Sequence, residues 1–223
     1  MPEDIAAAYK ANENLQFLES SDILWMDVVY KGVVPYADGL YKMLSDLMKP
    51  GDLELISQPL DYFGVNLYAS EYIVSDNKGG YIVLPKKTGA PLNSLRWNVV
   101  PEVMFWGPKY FYERYGLPIV ITENGYCSYD DPSEDGRILD FGRANFIQKY
   151  LQQLSRAVQS GIPIEGYFYW SLMDNFEWVH GYDERFGLIY VDYTTRKRTI
   201  KESGKYYKKI IQSNGKHLDM PII

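Results

Sequence analysis

Three short apolar runs, each followed by polar or aromatic residues, place the strongest constraint on the fold of this chain. The run "IVIT" at Ile119–Thr122 consists of four β-branched residues and predicts a strand that is buried on both faces. It continues directly into Glu123 and Asn124. Strands buried on both faces are typical of parallel sheets covered by helices, so the run predicts an α/β fold. It also raises the question of why a buried strand ends in a carboxylate.

The other two runs follow the same pattern. The run "DYFGVNLYAS" ends in polar groups that include Asn66 and Tyr68, and "IEGYFYWSL" contains Trp170 and leads into a loop with Glu177 and Trp178. In α/β folds, the loops after the carboxyl ends of the strands build the active-site face. We therefore expect the carboxylates, the phenol and the indoles of these three segments to share one face.

Helical patterns lie before, between and after the three runs. Composition, apolar spacing and Gly or Pro stops predict five helices, and Thr199 with Glu202 forms a capping box for the last one. The predicted ranges are Pro2–Glu19, Ala37–Met48, Pro101–Gly116, Phe141–Gly161 and Thr199–Ser213. The segment 71–100 is predicted to be loop and hairpin, and "IYVDY" at 189–193 a short strand. The order of strand, loop and helix, repeated three times, predicts parallel βαβ units in one domain of residues 1–223.

Charge and composition exclude two classes of partner. The hydrophobic content of 46% is sufficient for a substantial core, and 23 Lys and Arg against 29 Asp and Glu give a net charge of −6. No long block of like charge occurs, which argues against a nucleic-acid surface and against binding to an anionic membrane. The basic cluster "TRKRTIK" at Thr195–Lys201 is predicted to be a solvated surface turn.

The cysteine content and the N-terminal sequence bear on location. Cys127 is the only cysteine, so an intrachain disulfide is excluded, and a reducing compartment fits. We interpret it as a small buried residue rather than a reactive thiol. The segment "MPEDIAAAYK" has no secretory signal pattern, and no apolar run approaches the ~18 residues that span a bilayer. These features predict a cytoplasmic protein without a membrane segment.

The residues expected at the strand ends are suited to carbohydrate. Flat aromatic rings pack on the C–H faces of sugars, and carboxylates accept hydrogen bonds from sugar hydroxyls. Glu123 can equally be the partner of a helix N-terminus or of a salt bridge, and each Trp, taken singly, can belong to an ordinary core. Glu177 is harder to explain by packing because aromatic residues flank it in a loop. No His, Cys and Asp spacing indicates a metal and no Gly-rich motif indicates a phosphate, so no metal and no cofactor is predicted.

Two longer motifs carry a family resemblance. The first is "ITENG" at Ile121–Gly125, and the second is "GYFYWSLMDNFEWVHGYDERFGLIYVDY" at Gly166–Tyr193. Together they resemble glycoside hydrolase family 1, the retaining β-glucosidases. The segments "SQPLDYFGVNLYAS" and "RWNVVPE" are similar to the sixth-strand segment and the aglycone loop of that family. The resemblance covers nearly the whole chain and implies the C-terminal portion of a TIM (β/α)8 barrel, with strands six to eight and their helices.

The resemblance implies a role for each residue of the shared face. Glu123 would be the nucleophile that forms the glycosyl-enzyme intermediate in the hydrolysis of β-D-glucosides, and Tyr68 would orient it by a hydrogen bond. The implied sugar contacts are Trp170 as the platform, Glu177 on the 4- and 6-hydroxyls of the glycone, Trp178 through its indole N–H, Trp97 at the aglycone site, and Asn66 and Phe186 as supporting residues.

The resemblance also bears on the substrate. Glu177 stands where the 6-phospho-β-glycosidase branch carries Ser and Lys, which implies an unphosphorylated gluco- or galacto-configured glycone in a β-glucoside or cello-oligosaccharide. Two departures from the family pattern are Leu67, where an aromatic residue is usual, and Tyr150, where a histidine is common. The alternation of a strand predicts that Leu67 points away from the site.

The chain resembles only part of a barrel. A complete (β/α)8 barrel takes ~250 residues, and the sequence has no "NEP" motif to supply the general acid/base of strand four. The resemblance therefore implies a portion that begins after strand five and is inactive alone. Three parallel strands leave sheet edges exposed, so we expect a complementary N-terminal half-barrel as the partner, or self-association. The alternative hypothesis is a noncatalytic half-barrel that binds a sugar or a protein.

Overall fold

The structure, a computed structural model, describes residues 2–13, 22–35 and 40–222. In these ranges the α-helices are α1 Pro2–Asn12, α2 Asp22–Lys31, α3 Leu40–Leu47, α4 Asp52–Ile56, α5 Val103–Tyr115, α6 Phe141–Gln159 and α7 Glu202–Gln212. The strands are β1 Phe63–Asn66, β2 Ile73–Ser75, β3 Tyr81–Val83, β4 Ile119–Asn124, β5 Ile164–Tyr169, β6 Ile189–Val191 and β7 Arg198–Ile200. No helix of the described part is long and apolar enough to cross a membrane.

The central sheet has three strands in the order β1-β4-β5. β4 and β5 are parallel, with Ile119 opposite Ile164 and Val120 opposite Gly166. Ile119 and Ile121, on one face of β4, are fully buried, but Val120 is half-buried and Thr122 is exposed on the other face. The prediction of burial on both faces is therefore wrong for the second face. The parallel βαβ arrangement predicted from the sequence is confirmed for this pair, because the connection between the two strands contains helix α6.

Helix α6 connects β4 to β5 and covers the sheet with an apolar stripe. Its buried residues recur at helical spacing, and the stripe includes Phe146, Ile147, Tyr150, Leu151 and Leu154. Gly161 follows the helix with φ of 89°, a backbone conformation that favours glycine. The helix therefore ends where the sequence predicts.

The chain packs as two compact units. The first consists of the described residues of Met1–Phe63, Glu71–Lys86 and Glu113–Leu117, and the second of those of Gly64–Ser70, Lys87–Tyr112 and Pro118–Ile223. All of the candidate site residues belong to the second unit. The assignment of the whole chain to one domain stays a prediction.

A buried ion pair holds the first unit together. Arg114 donates to both carboxylate oxygens of Asp27, at 3.0 and 2.6 Å, and the Tyr115 hydroxyl donates to the same carboxylate at 2.9 Å. Burial alone would raise the pKa of Asp27, but these bonds hold it below its usual value. Asp27 lies in α2, a helix that the sequence pattern does not predict because "DILWMDVVYK" is apolar at most positions and lacks a clear period.

Other predicted elements differ at their ends. Within the described residues, α1 ends at Asn12 and α3 begins at Leu40. Residues 14–20 and 36–39, where the two predicted helices would continue, lie outside the described residues. The predicted hairpin in the segment 71–100 is confirmed as β2 and β3, which pair in antiparallel register.

The capping box predicted at Thr199 is wrong. Thr199 lies in β7 and pairs with Tyr190 of β6, and α7 begins later, at Glu202. The amide of Ser203 instead donates to Asp140 Oδ1 at 2.8 Å, and the Ser203 hydroxyl donates to Asp140 Oδ2. A carboxylate far away in sequence therefore satisfies the first turn of α7, and no local pattern indicates it.

The basic cluster is only partly a solvated turn. Residues 195–198 are exposed, as predicted, whereas Lys201 is fully buried. Its ammonium group lies 2.6 Å from a carboxylate oxygen of Asp130 and 2.6 Å from one of Asp174. The prediction is wrong for Lys201 because these two carboxylates compensate its charge inside the protein.

Substitution of Asp140 and of Thr199, the observed and the locally predicted cap of α7, should affect stability very differently. Asp140→Ala should lower the free energy of unfolding by about 3 kcal/mol or more, because it leaves the buried Arg143 without one of its carboxylate partners. Thr199→Ala, at the position favoured by the local pattern, should change the free energy of unfolding by less than about 0.5 kcal/mol. Urea denaturation followed by near-UV circular dichroism measures both values, and equal losses would contradict the assignment of the cap.

Candidate active site

Glu123 stands at the carboxyl end of β4, on a backbone that is paired on both sides. The amide of Leu67 donates to the carbonyl oxygen of Glu123 at 2.8 Å, and the amide of Trp170 donates to that of Asn124 at 2.9 Å. The segments after β1 and β5 therefore fix the end of β4 from either side. The predicted convergence at one end of the sheet is present for Tyr68, Glu123 and Trp170.

Tyr68 contacts the Glu123 carboxylate directly. Its hydroxyl donates to Glu123 Oε2 at 2.8 Å. Burial, this hydrogen bond and the negative charges of Glu123 and Glu177 raise the pKa of Tyr68 well above its ordinary value. The phenol is therefore a neutral donor at all physiological pH values. A carboxylate held in this way can attack an electrophilic carbon while its orientation stays fixed.

The ring of Tyr68 packs with two further aromatic rings, those of Trp97 and Phe186, to form an aromatic wall beside Glu123. The rings of Tyr68 and Trp97 meet edge to face with centroids 5.5 Å apart, and Phe186 lies 6.3 Å from each of them. Phe186 is buried, whereas Trp97 is 40% exposed and offers apolar surface to a ligand. Phe186 thus packs against the two rings from the buried side, and its role in a sugar pocket stays a prediction.

Glu177 lies in the loop after β5, next to the predicted sugar platform. The indole N–H of Trp170 and the amide nitrogen of Asn175 each donate to Glu177 Oε2 at 3.4 Å. The Ser171 hydroxyl in turn bonds to Asn175 Oδ1 at 2.9 Å. The peptide bond between Trp170 and Ser171 is cis. One oxygen of Glu177 is thus oriented by the loop itself.

Trp178 and Asn66, the two remaining predicted site residues, are exposed. Trp178 begins a short 3₁₀ turn and its side chain is 80% exposed, so its hydrogen bond to a sugar stays a prediction. Asn66 is exposed at the end of β1 and accepts a hydrogen bond from the Thr122 hydroxyl at 2.7 Å. The Leu67 side chain lies against helix α5, because a Cβ built on Gly107 of that helix would be 2.9 Å from Leu67 Cδ2. Leu67 therefore points to the helix side of the sheet, as the alternation of a strand predicts.

Asn124 is a site residue that the sequence analysis did not single out. Its side chain is fully buried, donates to the Leu67 carbonyl oxygen at 2.7 Å and accepts from the Tyr167 hydroxyl at 2.9 Å. These bonds tie the segment before Tyr68 to β5 through the residue after Glu123. An amide at the end of a buried strand is the available signal, since it must find partners for both of its polar groups.

Tyr150, one of the two departures from the family pattern, supports the aromatic wall. Its hydroxyl accepts from the Val100 amide at 2.9 Å and donates to the Tyr68 carbonyl oxygen at 3.2 Å. The loop of Trp97 is held at its other end by Asn93, whose side chain accepts from the Trp97 amide at 2.9 Å. Tyr150 thus connects the two segments that carry the wall.

Among the described residues, no group of three or more His, Cys, Asp and Glu side chains is arranged to hold a metal ion. Cys127 is fully buried, and burial raises the pKa of its thiol to about 11. The interpretation of Cys127 as a small buried residue is confirmed.

Sequence comparisons identify relatives of the chain. The profile of glycosyl hydrolase family 1 matches residues 2–216. Curated relatives include a 1,4-β-D-glucan glucohydrolase of Thermotoga neapolitana, 37% identical over 196 residues, and β-glucosidase A of Thermotoga maritima, 36% identical over 195 residues. Each alignment covers 86% of this chain and 44% of the relative, so the chain spans less than half of the length of these proteins.

Solved structures give a consistent match. A β-glucosidase from Thermotoga maritima in complex with castanospermine aligns with a TM-score of 0.74 and 34% identity, over 86% of this chain and 44% of that protein. A structure of the β-glucosidase in complex with deoxynojirimycin aligns with a TM-score of 0.76 and 32% identity, over 94% and 47% of the two chains. The architecture of this chain therefore corresponds to about half of theirs.

The close approach of Gly125 to Trp170 yields a prediction. A Cβ at Gly125 would lie 1.8 Å from the Trp170 carbonyl oxygen, so Gly125→Ala should displace the loop after β5 and destabilise the protein by about 3 kcal/mol. Gly142→Ala is the matched control, because a Cβ there meets only ordinary contacts with Tyr126 at 3.8 Å and lies in a helix, where alanine is favoured. Urea midpoints should fall for the first variant and stay or rise for the second. A Gly125→Ala protein with an unchanged midpoint would contradict the described packing.

Proposed function

The chain belongs to glycosyl hydrolase family 1, and we propose that it is the part of a retaining β-glucosidase that carries the nucleophile. Its fold is α/β, with a parallel sheet that corresponds to part of a (β/α)8 barrel. The hydrogen bond from Tyr68 to Glu123 is the observation that carries the proposal. This bond fixes the orientation of the Glu123 carboxylate at the end of the strand, as the attack of a nucleophile requires.

In the proposed mechanism, Glu123 attacks the anomeric carbon of a β-D-glucoside. The bond from this carbon to the aglycone oxygen breaks, a second carboxyl group donates a proton to that oxygen, and a glycosyl-enzyme forms on Glu123. A water molecule, deprotonated by the second group, then releases the sugar. The two carboxyl groups of a retaining enzyme lie about 5 Å apart. We assign the second one to residues outside this chain, because the chain has no Asn-Glu-Pro segment.

Substrate recognition is assigned to the loops around Glu123. Trp170 provides the platform for the glycone, and Glu177 accepts hydrogen bonds from its 4- and 6-hydroxyls. The orientation of Glu177 by Trp170 and Asn175 supports this role, because a pre-oriented carboxylate loses little entropy on binding. Trp178 donates to a glycone hydroxyl, and Trp97 packs on the aglycone. The substrate is a β-glucoside or a cello-oligosaccharide.

A complementary half-barrel is the proposed partner. Within the described residues, β5 is at one edge of the central sheet, and an edge strand can pair with a further strand. Two large apolar side chains beside this edge, Phe168 and Leu172, are 62% and 65% exposed. A barrel closes only when further strands cover such edges. Self-association is the competing way to cover them, and a cytoplasmic location remains our prediction.

A noncatalytic binding module is the second candidate. The contact of Trp170 with Glu177 favours it, because both sugar-binding groups are already together in this chain. Isothermal titration calorimetry of the chain alone with glucose and cellobiose tests it. Binding of glucose or cellobiose by the chain alone supports the binding module. If neither sugar gives a heat of binding, this candidate is rejected.

Reconstitution tests the catalytic proposal. The chain is mixed with a family 1 half-barrel that supplies strands one to five, and hydrolysis of an aryl β-glucoside is measured after assembly is verified by size-exclusion chromatography. We expect turnover, and Glu123→Gln should lower kcat by about 10⁴-fold or more because the amide cannot form the intermediate. Glu134→Gln, on the exposed loop after β4, is the control and should leave kcat unchanged. A verified complex without turnover would reject the proposal.

A further inference from the structure

A cluster of six charged side chains lies beneath the loops that follow β4 and β5. Its cations and anions are equal in number, and the side chains of five members are nearly or fully buried. The cations are Arg143, Arg185 and Lys201, and the anions are Asp130, Asp140 and Asp174. The balance of charge is what allows such a cluster to exist away from water. None of the six is used in the mechanism above.

Lys201 joins the two loops of the cluster. Its ammonium group lies 2.6 Å from Asp130 Oδ2 and 2.6 Å from Asp174 Oδ1. Asp130 belongs to the loop that follows Glu123, and Asp174 lies between the platform Trp170 and Glu177. Lys201 thus connects the loop of the nucleophile to the loop of the sugar-binding carboxylate. Arg143, also fully buried, makes a second connection, since it bonds to Asp130 and to the Arg185 carbonyl oxygen at 2.6 Å, but Lys201 bonds directly to Asp174, between Trp170 and Glu177.

The Asp174 end of the bridge is held by further contacts. Asp174 accepts hydrogen bonds from Arg185 at 2.7 Å and from the Gly187 amide at 3.0 Å. A Cβ at Gly187 would lie 2.2 Å from the Asp174 amide nitrogen, so the two backbones are in close contact. The loop after β5 is consequently fixed at the position of Asp174.

The Asp130 end is equally satisfied. Asp130 accepts from the Ser128 hydroxyl at 2.7 Å and from Arg143 at 2.8 Å. Burial alone would raise the pKa of Asp130, but the charges of Arg143 and Lys201 hold it below its usual value. Burial and the charge of Arg143 lower the pKa of Lys201, while Asp130 and Asp174 oppose this shift. The two carboxylates therefore counteract the lowering of the Lys201 pKa that burial causes.

A buried ionic cluster of this kind has no general advantage in stability over apolar packing. Its distinctive property is geometric, because a charge that is buried tolerates few positions for its partners. We infer that Lys201 is a positioning residue, which holds the loop of Trp170 and Glu177 at a fixed place relative to the strand that carries Glu123. That this positioning serves sugar recognition rests on the proposed function, whereas the positioning of the loop by Lys201 does not.

The test removes the bridge without unbalancing the cluster. The double variant Lys201→Met with Asp130→Asn removes one cation and one anion and leaves Asp174 bonded to Arg185. The two-dimensional ¹H–¹⁵N spectrum of the full chain reports the indole resonance of Trp170, assigned with Trp170→Phe, and the backbone amide of Glu177. Lys205→Met is the matched control, because Lys205 lies on the exposed side of α7 and pairs with Glu202.

Three outcomes decide the inference. Positioning by Lys201 predicts that the Trp170 indole and Glu177 amide resonances shift or broaden in the double variant, while resonances of α5 and the Lys205→Met spectrum stay in place. Unchanged Trp170 and Glu177 resonances in a folded double variant would overturn it. Loss of the folded spectrum in the double variant would overturn it as well, because the lysine would then be a determinant of folding rather than of position. None of these readouts requires turnover, so failure of the proposed function is distinguished from failure of this inference.

Discussion

A carboxylate can stand at the tip of a buried strand only if the backbone beneath it is fully paired. At the end of β4 this condition is met by hydrogen bonds to the segments after β1 and β5, and by the Asn124 side chain, which contacts both neighbours. Asn124 directly follows Glu123, so the hydrogen bonds of the Asn124 side chain to the neighbouring segments also hold the backbone of Glu123 in place. The positions of Tyr68 and Trp170 depend on the same set of bonds.

The features that the sequence predicted well are those with a local cause. The β-branched run before Glu123 forms a strand with Ile119 and Ile121 in the core, and the stripe of α6 forms a helix because its apolar residues repeat at helical spacing. The grouping of polar residues at strand ends then follows from the parallel arrangement. The contact of Tyr68 with Glu123 was expected from the family resemblance, and the structure contains it.

The features that the sequence did not predict depend on partners far away in the chain. The cap of α7 comes from Asp140 rather than from Thr199, and Lys201 is buried rather than solvated because Asp130 and Asp174 lie on either side of it. A pattern of neighbouring residues contains no information about such pairs. Helix α2 is a different case, since its nearly continuous apolar sequence fits a strand or a helix equally well.

The bonding of the site bears on the proposed association with a second half-barrel. The Glu123 carboxylate, the Trp97 wall and the Glu177 loop each take their position from bonds within the second unit, namely those made by Tyr68, Tyr150 and Lys201. Because these bonds lie within this chain, the proposed association would supply the general acid/base and would not have to order the side of the site that carries Glu123. The ordering cost that usually weakens the assembly of fragments is therefore reduced on this side of the barrel. Burial of the exposed side chains of Phe168 and Leu172 beside the edge of β5 would favour the proposed association, because it removes apolar surface from water.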